Sequence, residues 1–237
     1  MKETRFFKLD KRLSACAKFV RENAKIADIG TDHGYLPCYM AAEGLCDKAY
    51  ACDVAEKPLE SAAAHISQNG LEDKVIPILS CGLEKVPAEG LTDIVIAGMG
   101  GELIARILED CRWLKTAEPA LNLVLQPMTK WDTLRRWLYE NGFEVREEKP
   151  CTSGRFVYSV MQAVYTGEKP GYPCDLRYLF CGRVTADDDD GREYLLRQAA
   201  RLEACARGKL SSGEADAAKE IQALAEDIKE QCEKNCL

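Results

Sequence analysis

Between residues 25 and 164 short apolar runs alternate with amphipathic stretches, and no other feature of the chain restricts its fold as strongly. A strand covered on both faces reads as consecutive apolar residues, and two parallel neighbours need a crossover between them, so the alternation describes a mostly parallel sheet flanked by helices. Seven strands are predicted, over residues 25–30, 48–53, 74–80, 92–98, 121–126, 143–148 and 156–163. Helices are predicted over 35–43, 57–69, 102–109 and 130–141, with Gly70 and Gly142 placed as stops after two of them. Only a short loop around Thr152, Ser153 and Gly154 separates the last two strands, so a hairpin closes the sheet.

The character changes after Thr166, where Gly167, Pro170, Gly171 and Pro173 interrupt regular structure. Residues 1–166 are therefore read as one α/β domain and 167–237 as a linker with a helical hairpin. Helices are predicted over 192–207 and 215–233, with stripes of Leu195, Ala199, Leu202 and Ala206 facing Ile221, Leu224, Ile228 and Cys232. Arg192, Arg197, Arg201 and Arg207 give the first of these helices a basic outer side, suited either to a polyanion or to water.

With 46% hydrophobic and 30% charged residues in a 237-residue chain, the composition is that of a globular protein and excludes disordered and fibrous classes. No apolar run reaches membrane-spanning length and the charged start lacks a signal-peptide core, so no membrane association and a cytoplasmic location are expected. The twelve cysteines form no C-x-x-C pair and only two histidines accompany them, so reduced thiols and no metal are expected. A net charge of −7 argues against indiscriminate coating of nucleic acid. Residues 1–25 nevertheless hold eight basic side chains against three acids. This cluster makes Lys8, Lys11 and Arg12 candidate phosphate contacts, the other reading being a solvated helix face.

The first predicted strand runs into Asp28-Ile29-Gly30-Thr31-Asp32-His33-Gly34-Tyr35 and then a helix. Ligands of open α/β sheets lie at the carboxyl ends of the strands, so this turn is the candidate site. A dinucleotide site wants G-x-G-x-x-G, with bare amides for a pyrophosphate, yet Asp32 occupies the second glycine position. S-adenosylmethionine carries an ammonium and a sulfonium, which Asp28 and Asp32 would attract. Gly30 and Gly34 let the backbone turn, and Asp53, 23 residues beyond Gly30, stands where an acid accepts ribose hydroxyls.

The fourth strand ends in Ile96-Ala97-Gly98-Met99-Gly100-Gly101. The turn offers no cysteine for pyrimidine C5 methylation and no Asn-Pro-Pro-Tyr group for an exocyclic amine. It suits an acceptor that brings its own lone pair, such as a ring nitrogen, whose plane Gly98, Gly100 and Gly101 would let approach.

These strings, with Leu36-Pro37 and Leu125-Gln126-Pro127, resemble those of the bacterial TrmK family, S-adenosylmethionine-dependent methyltransferases acting on N1 of adenine 22 in tRNA. The resemblance implies a Rossmann-like class I methyltransferase domain carrying a coiled-coil-like helical domain. It implies that Asp28, Gly30, Asp32, His33, Gly34 and Tyr35 surround the cofactor, with Asp53 and Val54 at its ribose. It places Cys81 and Gly82 beside the adenine, Gly98 and Met99 against the cofactor, and Gly100, Gly101, Gln126 and Pro127 along the entry for the base. One departure stands out: Ser80-Cys81-Gly82-Leu83 replaces the family's frequent Gly-Asp-Gly-Leu, which implies weaker cofactor binding through a lost carboxylate.

The expected activity is therefore methyl transfer to tRNA by a monomer, with Asp32 as the candidate catalytic carboxylate for charge that develops on the base. The competing readings are methylation of a small molecule or of a different RNA, noncatalytic binding of S-adenosylmethionine or RNA, and an NAD-linked oxidoreductase. The basic start and helical tail favour the tRNA reading. His33 is read as a turn-holding residue or a general base, and Trp113, Trp131 and Trp137 as packing groups.

Overall fold

The computed structural model describes residues 8–234. A short helix α1 (Lys11–Ala17) precedes the sheet, which begins with β1 (Ala24–Ile29), α2 (Tyr35–Ala42), β2 (Cys46–Asp53), α3 (Glu56–Gln68) and β3 (Val75–Leu79). It continues through β4 (Asp93–Gly100), α4 (Gly101–Asp110), β5 (Asn122–Thr129), α5 (Trp131–Glu140), β6 (Phe143–Ser153) and β7 (Phe156–Tyr165). The chain then forms α6 (Leu176–Cys181), α7 (Asp189–Ser211) and α8 (Ala215–Lys234).

The seven strands lie in the order β3-β2-β1-β4-β5-β7-β6, with β7 antiparallel to both its neighbours and all other pairs parallel. This is a Rossmann-like α/β fold with helices on both faces. One face packs Ile29, Ile94, Ile96, Leu123 and Leu125 beneath α4 and α5; the other packs Ile26, Val95 and Val124 beneath α1 and α2. The predicted strands appear in place, but the terminal hairpin pairs as far as Ser153 and Phe156, well beyond the predicted end of β6 at residue 148. Neither α1 nor α6 was foreseen in the sequence, although Asp10 accepts from Leu13 N at 2.7 Å as an N-cap and Asp175 does the same for Tyr178 N at 2.8 Å.

The helical hairpin packs on the sheet. Val157 of β7 shares a core with Leu195, Ala199 and Leu202 of α7 and Ile221, Ala225 and Ile228 of α8. Beside it lies a buried charge cluster. Arg135 of α5, with no exposed surface, donates to Glu148 of β6 at 2.5 Å and to the Tyr194 hydroxyl of α7 at 2.7 Å. It also donates to the carbonyls of Leu179 at 2.7 Å and Phe180 at 3.0 Å in α6. Glu148 Oε2 accepts from Arg183 N at 3.1 Å, and a Cβ on Gly182 would collide with that oxygen.

The basic side of α7 is largely answered within the protein: Arg192 pairs with Asp189, Arg197 with Glu193 at 2.7 Å, and Arg201 lies 4.4 Å from the Trp131 ring centroid. Among the described residues no helix is long and apolar enough to cross a membrane, and no three His, Cys, Asp or Glu side chains gather as metal ligands. Lys2, Arg5 and Cys236 lie outside the described residues.

Candidate active site

The carboxyl ends of β1, β2 and β4 meet because these strands are in register: Ile29 stands beside Cys52 on one side and Ile96 on the other. The turn after β1 enters the left-handed region three times, at Gly30 (φ +74°), Asp32 (φ +52°) and Gly34 (φ +71°). Two of these positions are glycine, and the third is an aspartate, a residue that tolerates this region better than most. A Cβ on Gly30 would collide with the Met99 methyl, so Met99 of β4 reaches across and lies over the first turn. The turn hangs from β2 through Gly30 N and Thr31 N, which donate to the Cys52 carbonyl at 2.8 and 2.9 Å.

The acids divide by environment. Asp28 is 5% exposed and accepts from the Thr31 hydroxyl at 2.6 Å. Burial pushes its carboxyl up from the ordinary 3.8 to about 6, although the Thr31 hydrogen bond and the Arg12 guanidinium pull the other way. Asp32 is exposed, with its carboxylate 3.5 Å from His33 Nε2. Asp53, at the end of β2, accepts from Ala55 N at 2.9 Å and from Asp32 N at 3.4 Å. Its carboxylate is thus held by backbone amides while half-open to a ligand, and the neighbouring Val54 is 71% exposed.

Because the folded pKa of Asp28 lies above its unfolded value, the folded state binds the extra proton between pH 3.8 and about 6, and stability falls as pH rises through that window. Asp28→Asn is expected to remove the fall, of order 2–3 kcal/mol. Chemical denaturation of both proteins at pH 4.5 and 7 measures it, and parallel pH profiles would show that Asp28 is not strained by its burial.

On the acceptor side Gln126, fully buried, is saturated by the protein. Its Oε1 accepts from Arg12 Nη1 at 3.0 Å and from Gly98 N at 3.1 Å, and its Nε2 donates to the Pro127 carbonyl at 3.0 Å. The structure therefore separates Arg12 from Lys8 and Lys11, with which the sequence had grouped it. Lys8 and Lys11 are exposed, whereas the Arg12 guanidinium turns in against Gly98. Gly98 is left-handed (φ +84°), which brings its amide to Gln126, and Gly100 faces the Thr129 hydroxyl. Gly101 is buried at the start of α4, where a Cβ would collide with the Lys130 carbonyl; its bareness serves packing against the turn before α5.

The remaining predicted residues lie at the edges. His33, Tyr35 and His65 form a ring cluster with centroids 5.2 to 6.2 Å apart, and His65 Nδ1 lies 2.8 Å from the His33 carbonyl. Tyr35 is 42% exposed. Cys81 is exposed on the turn after β3, and Gly82 (φ +56°) packs on Ile107; with Trp113 they border a cavity of about 510 Å³. Thr31, which holds Asp28, escaped the sequence reading; its position three residues after an aspartate in a tight turn was the available signal.

The chain is similar to known methyltransferases in sequence and fold. A methyltransferase domain family matches residues 9–161. The Bacillus subtilis tRNA (adenine(22)-N(1))-methyltransferase is 35% identical over 156 residues, 66% of this chain and 65% of that enzyme, so the alignment spans just under two thirds of its length. A Streptococcus pneumoniae structure, described as a putative tRNA (m1A22) methyltransferase in complex with S-adenosyl-L-methionine, is 29% identical with a TM-score of 0.76, covering 91% of this chain and 100% of that one. A Streptococcus agalactiae protein of the NADB-Rossmann superfamily superposes with a TM-score of 0.81 at 28% identity, covering 94% of this chain and 97% of that one. The family match spans β1 to most of β7 and with it the turns after β1, β2 and β4, and the chain belongs to the methyltransferase domain family.

Proposed function

We propose that the protein transfers a methyl group from S-adenosylmethionine to N1 of adenine 22 in tRNA. The carrying observation is the site itself: one carboxylate near the end of β1, a second in the turn that follows, a third at the end of β2, and a glycine turn on β4 beside them. The likeness to the Bacillus and Streptococcus proteins supports the same substrate.

The residues present fit the cofactor. A buried, protonation-prone Asp28 is the kind of group an ammonium nearby would stabilise, Asp53 holds open carboxylate oxygens for a ribose, and Arg12 offers a guanidinium for a carboxylate. S-adenosylmethionine supplies an electrophilic methyl group. Everything else falls to the protein. The adenine must be turned out of its stack to reach the β4 turn, where Gly98 itself carries no side chain and the Arg12 guanidinium lies against it. N1 attacks with its own lone pair, so no nucleophile is needed from the chain. The ring gains the positive charge that the sulfonium loses, no proton has to leave, and the exposed Asp32 carboxylate is the group we assign to stabilising that charge as it develops. The enzyme acts as a monomer in the cytoplasm.

Mass spectrometry of nucleosides from tRNA incubated with the protein and S-adenosylmethionine should show N1-methyladenosine. Cofactor binding without any tRNA product would favour a small-molecule acceptor instead. Asp32→Asn is expected to lower kcat tenfold or more at saturating cofactor. Full recovery of kcat on saturation would make Asp32 a binding residue and catalysis a matter of positioning.

A further inference from the structure

We propose that the groove between α1 and the projecting β6–β7 hairpin carries the unpaired RNA strand beside the target adenine, with one flanking base stacked on Phe156. The proposal rests on the tRNA reading above and adds the surface that grips the RNA.

β5 pairs with β7 only from Asn122 to Leu125, opposite Val164 to Met161, whereas β6 and β7 stay paired through Ser153 and Phe156. The outer half of the hairpin therefore stands clear of β5 at the end of the sheet where the carboxyl termini of β1 and β4 lie. On one side of it the cross-strand pairs Cys151–Tyr158 and Lys149–Val160 lie toward α1, and Cys151, Tyr158 and Val160 pack into the same core as Cys16 and Phe19. Phe156 continues that side to the tip, where nothing covers half of it: it is 50% exposed, its ring 6.1 Å from Tyr158 and 4.9 Å from the Arg155 guanidinium carbon.

Beneath the tip a groove of about 470 Å³ runs between Lys11 and Ser14 of α1, with Lys18 just past its end, and Lys149, Cys151 and Thr152 of β6. Its acids are Glu147, which forms an ion pair with Lys149 Nζ at 2.8 Å and so neutralises that lysine as it is itself neutralised, and Asp190 at the start of α7; Lys11 and Lys18 are the exposed cations. Lys11 and Lys18 are two helical turns apart, so they present cations about 10 Å apart along one side of α1. α1 also connects the groove to the methyl-transfer site: Lys11 lines the groove, and the next residue, Arg12, donates to Gln126 Oε1, which accepts from Gly98 N as well.

Lysines on flexible stems along a groove, ending in an exposed aromatic ring braced by an arginine, are the elements of a single-strand binding track: cations follow the phosphates and the ring accepts any base. Base flipping supplies the need for the ring. Once the target adenine leaves the stack, one face of its neighbour is bare, and an aromatic surface can replace the lost partner.

The test uses the full chain, unfractionated tRNA and S-adenosylmethionine. Phe156→Ala is expected to raise the KM for tRNA fivefold or more with cofactor affinity unchanged, and Phe156→Tyr to restore it. Lys11→Gln combined with Lys18→Gln is expected to flatten the dependence of log Kd for tRNA on log salt by about 1.4, the counterion release of two single-strand phosphates. Parental KM and salt slope in these variants, with the parent still methylating tRNA, overturn the groove assignment and leave the proposed activity standing. Absence of tRNA methylation by the parent overturns the activity and removes the RNA occupant with it.

Discussion

Arg135→Met is expected to destabilise the protein by roughly 3–5 kcal/mol, because it removes one partner of a fully buried ion pair and strands the other. Glu148 would keep only the Arg183 amide, at 3.1 Å, against a carboxylate with no solvent contact, and the carbonyls of Leu179 and Phe180 would lose their donor. For a chain of this size the midpoint of thermal unfolding should fall by roughly 10 °C. The double variant Arg135→Met with Glu148→Leu should recover much of the loss, since no charge is then left buried and unpaired. Calorimetric melts of the three proteins decide the matter. A single variant that melts within a degree or two of the parent would mean that the cluster contributes nothing to stability.

The second large effect is on cofactor binding. Asp53→Ala is expected to weaken S-adenosylmethionine by roughly 1.5–3 kcal/mol, about tenfold to a hundredfold in Kd, through loss of charge-assisted hydrogen bonds to the ribose. The carboxylate is already fixed by Ala55 N and Asp32 N, so no ordering cost is incurred when the ribose arrives, and the whole interaction is lost with the side chain. Asp53→Asn, which keeps one acceptor, should fall between the two. Isothermal titration of the apoprotein measures all three, and equal affinities would show that the ribose is held elsewhere.

The strands and the first turn were legible because their signals are local. Apolar runs mark strands buried on both faces, and Gly30 and Gly34 mark positive φ within a few residues of each other. The destinations of single side chains were not. Arg12 sits among basic residues and reads as surface, yet a seven-residue helix that docks on the sheet carries it to Gln126, more than a hundred residues away. Nothing in the sequence marks Arg135 on the predicted helix and Glu148 at the predicted strand end as partners, and the partners that α6 and α7 bring come from more than forty residues away. The basic side of α7 was visible, but the acids one turn earlier, Asp189 and Glu193, already answer two of its arginines. The outer half of β6 escaped prediction because Glu147, Lys149 and Pro150 break its apolar pattern, as an edge strand's residues do.

The way the helical hairpin is anchored also sets what can be exchanged in this architecture. A chain ending at Thr166 would lack Tyr194, Leu179 and Phe180, and Arg135 would face the sheet's outer flank with most of its partners gone. The hairpin is grafted at its root and free at its tip, where Ser211, Ser212 and Gly213 are exposed. Lengthening or replacing the α7–α8 turn leaves the buried cluster untouched, so variation in reach is cheap at that end, while excision of the whole element is not. A transplanted version of this hairpin would need to bring α6 and the glycine at 182 along with it, because the carboxylate of Glu148 fills the space that a side chain there would take.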